Sequence, residues 1–202
     1  VVLLTFYDLD GKYGFYKNDI NKRVKQISLH KNTGFSLKCV LQNIDIVQRE
    51  KPDVIHSHVN SLQYTILPQV FMAKGVHTVH NEAHLEASGR LEVGLRKFAF
   101  KHNLIQPVTI SQESHDSFLS FYGKEAVLIN NGRAVDSNIV VNNDIKKEIS
   151  GYKKSEQTRV IIQLARFQSQ KNIPMMARVA NRLYSEGYDF ALLFIGSTEN
   201  KP

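Results

Sequence analysis

Short apolar runs alternate with helix-period patterns along most of the chain. VVLLTF (1–6), KPDVIH (51–56), GVHTVH (75–80), QPVTI (106–110), EAVLIN (125–130), RVIIQLA (159–165) and FALLFIG (190–196) read as strands. Most of these runs lack the polar alternation of a half-solvated strand, which is the mark of strands covered on both faces. Residues 35–49 place Leu37, Val40, Leu41, Ile44 and Val47 on one helical stripe. Residues 111–122 open on Ser111, a good N-cap, and stop before Gly123. Residues 172–186 open on Asn172, carry Pro174 in the first turn, set Met176, Val179, Ala180 and Leu183 inward, and stop at Gly187.

Strand–helix–strand repetition of this kind predicts an α/β fold, a Rossmann-like parallel sheet with helices on both faces. Ligands of such sheets bind outside the carboxyl ends of the strands. The positions that follow strands therefore carry the chemistry: His56 to His58, His80 to His84, Ser111, Asn130 to Arg133, Arg166 to Lys171, and Gly196 with Ser197. Residues 137–158 are polar, rich in lysine and asparagine and weakly patterned, which predicts a linker with a short helix and a domain boundary near 150. One strand–helix–strand unit follows it, too little to bury its own faces, so the chain reads as a fragment of a longer polypeptide that opens in mid-strand.

The 202 residues are 42% hydrophobic and 22% charged, as in ordinary globular domains, which excludes a mainly disordered chain. The single cysteine, Cys39, has no internal disulfide partner and fits a reducing, cytoplasmic setting. No apolar run approaches the ~20 residues of a membrane-spanning helix. A net charge of +7 favours an anionic partner. The cations are scattered in short clusters, so solvated faces are a better reading than a nucleic-acid footprint. Residues 90–104 form a basic helix with Leu91, Leu95, Phe98 and Leu104 on one side. That side could lie on an anionic membrane surface, but packing on the sheet is the expected use.

The stretch LARFQSQKN (164–172) is the sharpest local signal. Arg166 follows a strand and Lys171 precedes a helix whose first N–H groups lie at its positive end. An arginine fork, a lysine and a helix N-terminus suit a phosphate or diphosphate; on spacing alone the two cations read equally well as exposed loop residues. The histidines of HSH (56–58) and HNEAH (80–84) admit a metal centre made of His56, His58, His80 and His84. HNEAH is not the H-E-x-x-H pattern of zinc proteases, and His58 and His77 read first as structural histidines. INNGR (129–133) is a turn signal before it is anything else.

Taken in order, KPDVIHSH, HTVHNE, VTISQES, VLINNGR, LARFQSQKN and LLFIGS resemble the retaining glycosyltransferases of family 4, enzymes of the GT-B architecture with two facing Rossmann-like domains. The resemblance spans about residues 35 to 197 and rests on the order and spacing of the segments. It implies an acceptor-side domain over 1–135, a linker over 136–156 and the start of a nucleotide-sugar domain over 157–202. It implies transfer of a sugar from a nucleotide-sugar donor, with retention, to a glycan or a lipid-linked acceptor, and no catalytic metal or other cofactor. Arg166 and Lys171 match the pair that grips the donor diphosphate, and His80 the acceptor-side histidine that reaches the donor sugar. Asn131 and Gly132 match the loop near the cleft, and Gly196 the glycine ending a donor-domain strand. Asn130 stands where the family usually has proline, and Ala165 where it has glycine. The family's glycine-rich loop and paired glutamates have no counterpart in this sequence, so as given the chain is expected to be incompetent for transfer. Two other functions compete: a metal-dependent hydrolase built on the four histidines, and a non-catalytic nucleotide-binding module.

Overall fold

The structure is a computed structural model that describes residues 1–10, 14, 16–87, 89–132 and 140–197. It divides into two compact units, Val1–Arg133 and Ala134–Pro202. Arg133, the expected boundary at 135 and the end of the chain beyond Ser197 lie outside the described residues.

In the first unit, β1 (Val2–Thr5) and β2 (Lys25–Ser28) form a parallel pair. A four-stranded parallel sheet follows, with order β3 (Val54–His58), β4 (Lys74–Val79), β5 (Ile105–Thr109) and β6 (Val127–Leu128). Helices α1 (Leu37–Glu50), α2 (Leu62–Phe71), α3 (Ala83–Glu86), α4 (Arg90–Lys101) and α5 (Gln112–Tyr122) lie between the strands in sequence and flank the sheet. The fold is α/β and Rossmann-like, with consecutive strands adjacent as parallel crossovers require. Ser111 caps α5 by accepting from the Ser114 amide at 3.2 Å, and Gly123 ends it at φ 64°, a left-handed turn that glycine enters without strain. The main core joins Leu62 of α2, Val79 of β4, Ile105 of β5 and the aromatic trio Phe100, Phe118 and Tyr122. Phe100 meets Phe118 and Tyr122 edge-on at 5.2 and 5.1 Å between centroids, the arrangement the ring quadrupole favours.

Two helix faces are corrected. On α1 the buried stripe is Cys39, Val40, Asn43, Ile46 and Val47, whereas Leu37 and Leu41 are 65% and 61% exposed. On α4 three of the four expected apolar positions are outside: Leu91, Leu95 and Phe98 are exposed, Leu104, just past the helix end, packs on the core, and Arg96, Ala99 and Phe100 are buried. Arg96 enters the interior because Glu92, one turn earlier, accepts from its Nε at 2.9 Å and Nη2 at 2.5 Å, so the charge is buried as a pair. The strand β2 and the helix α2 are additions to the pattern read from the sequence: β2 is short and polar, and α2 contains Pro68, which normally argues against helix.

The second unit has α6 (Asn143–Gly151), β7 (Arg159–Leu164), α7 (Ile173–Ser185) and β8 (Phe190–Ile195), with β7 and β8 parallel. Asn142 caps α6, accepting from the amides of Asp144 at 2.9 Å and Ile145 at 3.3 Å. Of the inward positions expected on α7, Met176, Ala180 and Leu183 are half-buried and Val179 is exposed, and Ile162 and Leu164 of β7 are exposed. Two strands are too narrow to cover a helix that presents apolar side chains over more than one turn. Among the described residues, no helix is long and apolar enough to cross a membrane.

Candidate functional site

Parallel pairing sets His56 opposite Val76, Ser57 opposite His77 and His58 opposite Thr78. Strand alternation then sends His56 and His58 to one face and Ser57 to the other. His56 Nε2 lies 2.8 Å from Thr78 Oγ1, and His58 Nδ1 lies 2.9 Å from Nε2 of His80, just past the end of β4. The ring centroids of His56 and His58 are 4.2 Å apart and those of His58 and His80 5.2 Å. A direct nitrogen–nitrogen bond needs one N–H and one lone pair, so the pair holds together only while at least one ring is neutral. Burial lowers the His58 pKa to about 4, with repulsion from His56 and His80 adding to it. Burial, with His80 second, also lowers that of His56. At neutral pH both rings are therefore uncharged hydrogen-bonding groups.

The loop carrying His80 is tied down from behind. Glu86 Oε1 accepts from the His80 amide at 2.5 Å and the Asn81 amide at 3.0 Å, while Oε2 lies 3.6 Å from His77 Nε2. Burial acts to raise the Glu86 pKa, but His77 and the two amides outweigh it and the carboxyl lies below its ordinary value. His77, fully buried, is lowered by desolvation and bonds Ser57 Oγ through Nδ1 at 2.9 Å. Gln69 Nε2 continues the chain to Ser57 Oγ at 2.9 Å and Thr65 Oγ1 at 2.7 Å. His77 is thus a structural histidine, as its sequence context suggests. His58, by contrast, is bonded to His80 at the sheet edge.

Beside this cluster lies a cavity of about 540 Å³, within the range of small-ligand sites. Its aromatic wall is Phe6, Tyr7, Phe35 and Tyr64, with Phe35 stacked on Tyr64 at 5.5 Å and 66% exposed. The Lys31 ammonium sits over the Tyr7 and Tyr64 rings at 5.4 and 5.6 Å. His58, Asn60 and Gln63 complete the polar side. Val59, on the same rim, holds φ 52°, a left-handed conformation that a β-branched side chain resists. The bonds of Ser61 Oγ to the His58 amide and carbonyl, at 2.9 and 2.7 Å, pin that turn.

His84 does not join the other three histidines; its Nδ1 lies 3.5 Å from Glu82 Oε2 on the surface. Among the described residues no group of three or more His, Cys, Asp or Glu is arranged to hold a metal ion. Asn131 follows β6, its amide bonded to the Ile110 carbonyl at 3.2 Å, so it sits at the same sheet edge beyond β5. A methyl added at Gly132 would meet nothing within 4 Å, so packing does not demand glycine there.

In the second unit, Arg166 and Lys171 share one loop at the carboxyl ends of β7 and β8. Gln168 links them, its amide bonded to the Arg166 carbonyl and its carbonyl to the Lys171 amide, both at 2.9 Å. Gln163 Nε2 fixes the loop through the Lys171 carbonyl at 3.0 Å. Asn172, in a left-handed conformation, then starts α7 without capping it by its side chain. Gly196 closes against this loop: a Cβ there would stand 1.9 Å from the Ala165 carbonyl oxygen. The Phe167 amide reaches the Ser197 carbonyl at 3.0 Å. Arg166, Lys171, Gly196 and the N-terminus of α7 are therefore neighbours at one edge. Neither any protein-family model nor any curated protein matches the chain. The signals that sequence reasoning passed over are Glu86, Thr78, Val59 and the Lys31–aromatic wall, each of which acquires meaning only through partners distant in sequence.

Proposed function

We propose that the chain is part of a retaining glycosyltransferase, with a donor diphosphate held by the second unit and an acceptor hydroxyl presented in the first. The observation that carries the reading is the edge of β7 and β8, where Gly196 lets the two strand ends close on each other beside Arg166, Lys171 and the start of α7. An arginine fork and a lysine at a helix N-terminus stabilise charge that develops on a departing nucleoside diphosphate, help worth a few kcal/mol per donor in comparable sites. His80 is the residue we assign to the donor sugar, as a hydrogen-bonding partner. His58 is its positioning residue, since the bond between them sets the ring's orientation. The Lys31 cavity next to His58 supplies aromatic faces and amides of the kind that hold a sugar ring.

Calorimetric titration with uridine and guanosine diphosphate-sugars tests this. One donor class binds saturably, and Arg166→Ala and Lys171→Ala each weaken it by about tenfold or more, the scale of one charge-assisted bond. Absence of binding by every nucleoside diphosphate-sugar, or affinity unchanged in both variants, defeats the reading. Phe35→Ala, on the exposed wall of the cavity, leaves donor affinity unchanged.

A further inference from the structure

The helix α4 leaves an apolar stripe outside the core. Its inward face carries Ala99, Phe100 and a buried arginine, Arg96, neutralised by Glu92. Its outward face carries Leu91, Leu95 and Phe98, spaced i, i+4, i+7 on one stripe and 79%, 47% and 57% exposed. Arg90, Lys97 and Lys101 fall at one angular position about a quarter turn from that stripe and are exposed. The one carboxylate of the helix, Glu92, is spent on Arg96, so no acid on α4 opposes the row of cations. Other helices also leave apolar side chains outside, such as Leu67 and Phe71 of α2. That helix has no charged residue at all and lacks the accompanying cations.

We infer that α4 docks on an anionic lipid surface, with Leu91, Leu95 and Phe98 entering the headgroup boundary and Arg90, Lys97 and Lys101 pairing with lipid phosphates. Apolar side chains beside a basic row are the arrangement that holds a helix in the interfacial plane, and anionic lipid strengthens binding by roughly fivefold per cation near the surface. A partner that was only apolar would leave the cations unused, and a nucleic acid would leave the leucines in water. The charge pattern selects the lipid surface. This inference does not depend on the transferase reading.

Vesicle co-sedimentation of the purified chain tests it, with neutral phosphatidylcholine vesicles in one arm and vesicles one-third phosphatidylglycerol in the other. The chain partitions into the anionic vesicles at least about tenfold more strongly, and high salt reverses the preference. Lys97→Gln with Lys101→Gln reduces the anionic preference by roughly fivefold for each cation removed, leaving that of Arg90, while Leu91→Glu with Phe98→Glu removes binding to both vesicles. Circular dichroism checks that the variants fold, and because all four positions are exposed they leave the core intact. No partition by folded wild-type chain overturns the inference. So does a dimer in solution that Leu91→Glu with Phe98→Glu converts to monomer while vesicle binding is unchanged, since the stripe would then join two copies. Nucleotide titration without vesicles reports separately on the donor site.

Discussion

Replacing Glu86 by glutamine asks how firmly the His80 loop is held. The carboxylate is buried and one oxygen accepts two amides, from His80 at 2.5 Å and Asn81 at 3.0 Å. A hydrogen bond to a charged acceptor contributes about 1.5–3 kcal/mol against about 1 for a neutral one, so losing the charge from two such bonds costs roughly 2 kcal/mol. The loss concentrates in the loop, and amide hydrogen exchange at His80 and Asn81 accelerates by about thirtyfold while the strand amides of β4 slow or quicken far less. The variant also changes the pH response. The folded-state pKa of Glu86 is depressed, so the unfolded chain binds the proton more readily. Its stabilising contribution is complete above the ordinary carboxylate pKa of 4.5 and is lost as pH falls through the folded value, and Glu86→Gln abolishes that dependence. Wild-type exchange rates at both amides, together with an unchanged urea midpoint, would show that the Glu86 charge does not hold the loop.

Other outcomes follow from single contacts. Gly196→Ala pushes a methyl onto the Ala165 carbonyl and separates the ends of β7 and β8; nucleotide titration reads weakened donor binding, and unchanged binding would show that the close approach is not needed. Val59→Gly relieves a left-handed β-branched residue and raises stability by about 1 kcal/mol in urea unfolding; a loss instead would mean that the side chain contributes more than its strain costs. Proton NMR of His58 shows titration near pH 4; a value at the ordinary 6.5 would contradict its burial. Because the folded-state pKa values of His56, His58 and His77 are depressed, stability falls as pH drops below 6.5, the unfolded chain taking up protons first; a stability that rises between pH 6.5 and 5 would reverse the sign.

Where a feature depended on period or on one local cap, the sequence carried it. β3, β4, β5, β7 and β8 follow from β-rich apolar runs, and α5 follows from Ser111 at one end and Gly123 at the other. Helix faces were harder to read. The periodic stripe on α4 points away from the core because Glu92 makes Arg96 cheap to bury, a choice set by which neighbours the folded chain supplies. β2 is mostly polar and is a strand only through β1 beside it. At the candidate site, the clustering of His56, His58 and His80 follows from parallel register, which brings strand ends together, whereas the exclusion of His84 depends on a short helix turning it to Glu82. Val59 is invisible to any pattern because its significance is a backbone angle.

What the loop between β7 and α7 binds is the decisive property of the chain. Amide chemical-shift mapping of the labelled chain during titration with uridine or guanosine diphosphate measures this directly. The predicted result is saturable shifts confined to residues 165–173 and 196–197. Shifts elsewhere with that edge silent, or no shifts with either nucleotide, would contradict it.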